Sequence, residues 1–234
     1  MVVIALILSG GSGTRLGADI PKQYIEVDDR PVISYCMEQL FCHKKIDAVQ
    51  IVAMPQWHEV IRECLKKYDI YNKFKGFSIP GKNRQLSIYN GLTDIKGYAG
   101  DTDVVLVHDA ARPMITAQII TDCLEAVYGH DGVVPVLLMK DTVYQSIDGK
   151  KISALVKRSE LYAGQAPEAF RIGEYYEANR RLCPDQIMEI NGATEPAILA
   201  GMDIVMIAGD EGNFKITTLQ DMERFKEIIK AEKI

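Results

Sequence analysis

VVIALILSGGSGTRLGADIPKQY, residues 2–24, decides the reading of this chain. Seven apolar residues, Val2 to Leu8, run into a loop with glycines at 10, 11, 13 and 17 and an arginine at 15, and Lys22 follows in Pro21-Lys22-Gln23-Tyr24. A continuous apolar run of this length, rich in β-branched residues, predicts a strand buried on both faces. Where glycine removes the Cβ, backbone N–H groups can close on phosphate oxygens, and Arg15 and Lys22 bring the positive charge that a polyphosphate needs. The stretch predicts a triphosphate site at the end of a core strand. Two better-known glycine loops do not fit. The dinucleotide pattern G-x-G-x-x-G fails because Leu16 holds its last place, which speaks against a nicotinamide-dependent dehydrogenase, and no glycine precedes Lys-Ser or Lys-Thr at P-loop spacing.

The rest of the chain repeats the alternation that this stretch begins. Strands are expected at Val2–Leu8, Ala48–Ala53, Gly76–Ile79, Val104–His108, Gly132–Leu138 and Ile204–Ile207. Helical patterns lie near Pro31–Phe41, Gln56–Lys67, Asn83–Thr93, Ala117–Val127, Gly173–Asn179, Ala193–Ala200 and Thr218–Lys230. Strands alternating with helices predict an α/β domain with a mostly parallel twisted sheet covered on both faces, whose ligands sit beyond the carboxyl ends of the strands. One segment breaks the pattern: Lys140–Leu155 alternates weakly around Asp148-Gly149, a hairpin signal. It reads as an arm with a polar exterior, at about 140–158, or as an ordinary surface excursion.

With 234 residues, 47% of them hydrophobic, the chain can bury a full core as a single domain, residues 1–234. A formal net charge of −5, with Lys and Arg spread along the chain, excludes general nucleic-acid binding. Five cysteines without metal spacing read as reduced thiols, and the N-terminal apolar run is too short for a membrane span, so a cytoplasmic protein is expected. His43, His58 and His130 read as surface residues, and His108 as a packing or hydrogen-bonding residue at a strand end.

A second constellation follows the fourth strand. Val105-Leu106-Val107 ends in His108-Asp109-Ala110-Ala111-Arg112-Pro113. A carboxylate at a strand end can hold a divalent cation or accept from a ribose hydroxyl. Read alone, Asp109 serves equally well as a turn cap with Arg112 as its partner.

Together, G-G-x-G-T-R, P-K-Q-Y, V-H-D-A-A-R-P and Asn213-Phe214-Lys215-Ile216-Thr217 resemble the cytidylyltransferases of the methylerythritol-phosphate and ribitol-phosphate group, in order and over essentially the whole chain. The resemblance implies that Arg15, Lys22 and Lys215 are catalytic. Ser9, Gly10, Gly11, Gly13, Thr14, Gly81, Arg84, Ser87, Asp109 and Ala110 would bind the nucleotide, with Arg84 and Ser87 near the cytosine. Asp109 would also approach Mg2+, the implied cofactor. Arg112, Thr142 and Arg158 would hold the acceptor, the last two from an arm that completes the site of a second subunit, so that a homodimer is implied. CTP and a small polyol phosphate are the implied substrates. The acceptor's phosphate is largely dianionic at neutral pH and is its own nucleophile. This agrees with the lack of a recognisable nucleophile–base pair in the sequence.

Three segments depart from the methylerythritol-phosphate pattern. Lys82 follows Pro80-Gly81 where an acidic residue follows Gly-Gly; Ala166 stands where a threonine is usual; and Gly192-Ala193-Thr194-Glu195-Pro196 displaces or loses a Thr-Asp pair. The departures point to a different polyol, although Ala166 and Gly192–Pro196 match neither branch. Ser9-Gly10-Gly11 in the first loop and Tyr162-x-Gly164-Gln165-x-Pro167 resemble the ribitol-phosphate branch, so ribitol 5-phosphate is the expected acceptor, with CDP-ribitol and pyrophosphate as products. Methylerythritol 4-phosphate and a nucleotide-binding protein without catalysis stand as alternatives.

Overall fold

The computed structural model describes residues 1–11 and 20–231. At its centre lies an eight-stranded sheet. In chain order its strands are β1 (Val3–Leu8), β4 (Ala48–Val52), β5 (Phe74–Ser78), β6 (Val104–Asp109), β7 (Gly132–Leu138), β10 (Tyr162–Gly164), β11 (Glu168–Arg171) and β12 (Ile204–Ala208). Two small pairs stand apart from it, β2 (Glu26–Val27) with β3 (Arg30–Pro31) and β8 (Val143–Gln145) with β9 (Ala154–Val156). Across the sheet the order is β5-β4-β1-β6-β11-β7-β12, and β10 continues the line of β11 along the same side of β7. The pairings β1–β4, β1–β6, β4–β5 and β7–β12 are parallel, whereas β10 and β11 run antiparallel to their neighbours.

Successive side chains of β1 and β6 point to opposite faces and meet different helices. Val3, Ala5, Ile7, Val104 and Leu106 join a core covered by α1 (Val32–Cys42), α2 (His58–Tyr68) and α4 (Ala117–Ala126). Ile4, Leu6, Val105 and Val107 join a second core under α3 (Arg84–Ile95), α5 (Ile172–Arg181) and α6 (Glu195–Leu199). α7 (Leu219–Ala231) packs Met222, Phe225 and Ile229 on Val27, Val32 and Tyr35. Each fully buried aliphatic side chain contributes roughly 1.5–3 kcal/mol. Leu6→Ala, at the centre of β1, would cost about 2–5 kcal/mol through lost contacts and the cavity left behind.

The expected strands and helices are present, with ends shifted by at most two residues; a short 3-10 turn, Pro55–Trp57, precedes α2. The sequence reading missed β10 and β11. They are three and four residues long and are interrupted at Gln165-Ala166-Pro167, too short to show a period. It also missed the β2–β3 pair, whose turn places Asp28 and Asp29 at φ 55° and 58°, the left-handed region suited to a tight hairpin. The expected arm is a hairpin, with Val143 paired to Val156, but its exterior is not polar throughout: Ile147, Ile152 and Leu155 are exposed.

Candidate active site

The carboxyl ends of β1, β4, β5 and β6 share one edge, and the loops leaving them build the site. Ser9, just after β1, is buried; its N–H donates to Val52 O at 2.8 Å and its hydroxyl to Tyr24 Oη at 2.7 Å. Burial pushes the Tyr24 phenol up to about 12, so it stays neutral, and Trp57 stacks on its ring. Gln23 donates from Nε2 to the carbonyls of Ser9 (2.9 Å) and Gly11 (2.8 Å). The Pro-Lys-Gln block is thereby stapled to the entry of the glycine loop, and Lys22, half-buried beside Gln23, is carried to that loop. Gly13, Thr14 and Arg15 lie outside the described residues.

Gly10 brings the first loop against the loop that leaves β5. A Cβ on Gly10 would lie 2.5 Å from Cβ of Pro80, and one on Gly81 would lie 2.5 Å from Cβ of Leu86. The Gly81 N–H donates to Ser87 Oγ at 3.0 Å, and that hydroxyl donates to Asn83 O at 2.8 Å. Ser87 is buried, with its proton committed to the loop, so it shapes the turn rather than facing solvent. Asn83 caps α3, its Oδ1 accepting from Leu86 N at 2.8 Å, while its amide holds Ile187 O. That cap fixes the first turn of the helix and aims Arg84 at the end of β6.

There Asp109 gathers cations. Its Oδ1 accepts from Arg84 Nε at 2.9 Å, its Oδ2 from Lys215 Nζ at 2.8 Å, and Arg112 Nε stands 3.8 Å from Oδ2. Burial opposes the carboxylate charge, but Arg84, Lys215 and Arg112 overcome it and hold Asp109 well below the usual range. Burial pulls the Arg112 guanidinium down, with Asp109 working against it. Arg112 also donates to Asn213 O at 2.7 Å, and Asn213, wholly buried, donates to Ala166 O at 2.7 Å. His108 donates from Nε2 to Arg112 O at 3.0 Å, in the tautomer that carries the proton there; burial lowers its pKa to about 4, so it is a neutral packing residue. Ala110 acts through its backbone, donating to Leu8 O at 3.0 Å. Asp109 and Arg112 are thus partners, as a turn would make them, and also members of a larger charged cluster.

Two members of that cluster were given no site role from the sequence. Glu168, the first residue of β11, is buried; Arg84 Nη2 lies 3.6 Å from its Oε1, and Thr194 donates to its Oε2 at 2.7 Å. Burial pushes the Glu168 carboxyl up, while Arg84 and Thr194 draw it back. A single glutamate before an apolar pair has no local signature; a register assigning Glu168 to Val107 was needed to find it. Thr194, at the segment that departs from the family pattern, is therefore still in the site. Thr142 and Arg158 are exposed on the arm, Arg158 donating to Lys140 O at 2.9 Å, and within one chain neither joins the Asp109 cluster.

Arg84, Arg112 and Lys215 against Asp109 and Glu168 leave an excess of one positive charge, a setting for anionic groups. For a metal the donor set is small. Both Asp109 oxygens already accept from cations, and among the described residues no three of His, Cys, Asp or Glu are placed to hold an ion. A magnesium ion held here would need phosphate oxygens and water for most of its ligands, with Asp109 as the carboxylate beside it that the resemblance implies. His43 pairs with Thr121, His58 stacks on Phe77, and His130 pairs with Asp203, so each has a structural partner. Among the described residues no helix is long and apolar enough to cross a membrane.

The sequence profile of the 2-C-methyl-D-erythritol 4-phosphate cytidylyltransferase family matches residues 3–231. A ribitol-5-phosphate cytidylyltransferase of Lactiplantibacillus plantarum is 31% identical over 224 residues, 94% of this chain and 95% of that one. Another, of Streptococcus pneumoniae, is 30% identical over 235 residues, 99% of this chain and the whole of its own length. Among solved structures, a 4-diphosphocytidyl-2C-methyl-D-erythritol synthase from Anaerococcus prevotii superposes with a TM-score of 0.83 at 24% identity, over 98% of this chain and 96% of that one. A 2-C-methyl-D-erythritol 4-phosphate cytidylyltransferase from Francisella tularensis gives 0.81 at 21% identity, over 96% and 98%. These two likenesses carry the fold.

Proposed function

This chain belongs to the 2-C-methyl-D-erythritol 4-phosphate cytidylyltransferase family and is a cytidylyltransferase, and from that premise we propose that it transfers CMP from CTP to ribitol 5-phosphate. The products are CDP-ribitol and pyrophosphate. The observation that carries the choice of acceptor is the near-complete match to two ribitol-5-phosphate enzymes at about the same identity. At the segments that depart from the methylerythritol-phosphate pattern, Ala166 is buried and brings no hydroxyl, while Thr194 donates to Glu168 as a polar pair. A site built to hydrogen-bond hydroxyls discriminates strongly through such groups.

In this reading an oxygen of the acceptor's phosphate attacks the α-phosphorus of CTP. The new P–O bond forms as the bond to the β-phosphate oxygen breaks, and pyrophosphate leaves with its electron pair. No protein nucleophile is needed. The work is to bring two polyanions together and to stabilise charge on a five-coordinate phosphorus, which positioning and cations both serve. Lys215 and Arg112, held on Asp109, face that charge from the β6 side; Lys22 adds a cation beside the entry of the glycine loop, the segment whose sequence carries Arg15. Asp109 offers one oxygen to the ribose or to Mg2+, which when bound would neutralise the triphosphate. Thr142 and Arg158, reaching over from the arm of a second subunit, would grip the acceptor's phosphate.

Purified protein with CTP and Mg2+ tests this directly, with ribitol 5-phosphate and methylerythritol 4-phosphate offered separately and pyrophosphate measured. Turnover with ribitol 5-phosphate is the expected result. Turnover with methylerythritol 4-phosphate alone, the reading that the family description favours, overturns the choice of acceptor and leaves the cytidylyl transfer standing.

A further inference from the structure

We infer that Glu168 sets acceptor specificity: its unfilled carboxylate oxygen takes a hydroxyl at the end of the acceptor remote from the phosphate, and its charge excludes acceptors that carry an acid there. The inference rests on the transfer to a polyol phosphate proposed above.

Position comes first. In the order β5-β4-β1-β6-β11, Ser9–Gly11 after β1 and the Gly81 loop after β5 lie on one side of Asp109, and Glu168 lies on the other. A nucleotide held by those loops leaves the β11 side to the second substrate. The two oxygens of Glu168 also differ. Oε2 accepts the Thr194 hydroxyl at 2.7 Å, which fixes the side chain. Among the described residues Oε1 has only Arg84 Nη2, at 3.6 Å, beyond hydrogen-bond length. With one oxygen anchored and the other unfilled, the group is built to accept.

Charge then decides what it accepts. Lys215 and Arg112 lie on Asp109, at the place suited to phosphate, while Glu168 puts a nearly buried negative charge beside them. A phosphate or carboxylate against Glu168 meets a like charge at low dielectric; a hydroxyl meets an acceptor. The acceptor is thereby oriented, with its phosphate toward the cations and its neutral, hydroxylated end toward β11. A deprotonated far end is rejected.

Glu168→Gln keeps the volume and removes the charge. Pyrophosphate release is measured with CTP and ribitol 5-phosphate, and 5-phosphoribonate, the same chain ending in an acid, is added as competitor. The variant is expected to raise KM for ribitol 5-phosphate about tenfold or more, as loss of a hydrogen bond to a charged group does. KM for CTP should stay within about threefold, and the inhibition constant of 5-phosphoribonate should fall about tenfold or more, because a like-charge contact is removed. An unchanged acceptor KM and inhibition constant overturn the inference, as does a rise confined to CTP, which would put Glu168 on the nucleotide's ribose. Should the variant not fold, Thr194→Val, which unlocks Oε2, must raise the acceptor KM selectively or the inference fails. Wild-type protein that turns over no polyol phosphate overturns the underlying reading; turnover with an indifferent variant overturns the role of Glu168 alone.

Discussion

Lys215 Nζ lies 2.8 Å from Asp109 Oδ2, across 106 positions of sequence. The pairing is imposed by backbone on both sides of it. Ile216 N–H donates to Ala111 O at 2.8 Å and Arg112 donates to Asn213 O at 2.7 Å, so the stretch 213–216 is laced to the loop that follows β6. The lysine is held at the end of the strand while a third of its side-chain surface stays open to a ligand.

Lys215→Ala should therefore remove a cation from the reaction centre without unfolding the protein, because Asp109 keeps Arg84 and Arg112. Loss of one strong electrostatic contact of this kind lowers kcat by about 10²–10³. Pyrophosphate release and a thermal melt together check it. A folded variant with normal turnover would remove Lys215 from the mechanism.

Asp109→Asn should do the opposite kind of damage. It leaves Arg84, Arg112 and Lys215 crowded with only Glu168 to offset them, and breaking a buried pair in this way costs about 3–5 kcal/mol. Urea denaturation at pH 7 should show the lower midpoint. Since the folded state holds the Asp109 pKa below its ordinary value, the stability that it contributes is present above about pH 3.9 and drains as pH falls below that.

His108 gives a pH signature at milder acidity. Its pKa is lowered to about 4, so between the ordinary 6.5 and 4 the unfolded chain binds a proton that the folded chain refuses. Stability should fall over that window by roughly 3 kcal/mol. His108→Gln, which retains a donor toward Arg112 O, should flatten this fall in melts taken at pH 7 and pH 5. Parallel pH curves for the two proteins would contradict the assignment.

Gly81→Ala drives a methyl into Leu86, 2.5 Å from its Cβ and 2.7 Å from its backbone carbonyl carbon. The loop must shift, at about 1–3 kcal/mol. Because that loop touches Gly10 through Pro80, KM for CTP should rise more than KM for the acceptor, as steady-state kinetics with each substrate varied in turn would reveal.

The arm predicts an oligomer effect. Ile147, Ile152 and Leu155 stand out in solvent on a hairpin that has no core of its own, and a second copy of this chain would cover them. Ile152→Lys with Leu155→Lys should shift the protein toward monomer in analytical ultracentrifugation and raise KM for the acceptor, since Thr142 and Arg158 ride on the same arm. A stable dimer in the double variant would place the contact elsewhere.

What the sequence alone determined was whatever is local. Val3–Leu8 and Val104–Val107 are continuous apolar runs, so their burial on both faces, and with it a sheet covered by helices, followed from composition over four to six residues. The glycine loop, Pro-Lys-Gln and the charged end of β6 were legible because each is a contiguous pattern with a chemical purpose. Tertiary structure decided the rest, for reasons of pairing. Gln23 is a staple for the glycine loop only because β1 ends beside it, and Ser87 turned inward because Gly81 folds back over its helix. β11 is four residues long and became a strand through partners on either side, β6 and β7, that a single chain of letters does not display. Glu168 entered the site by that pairing, opposite Val107 and within reach of Arg84 and Thr194. A residue's charge is written in the sequence; what lies across from it is set by strand register.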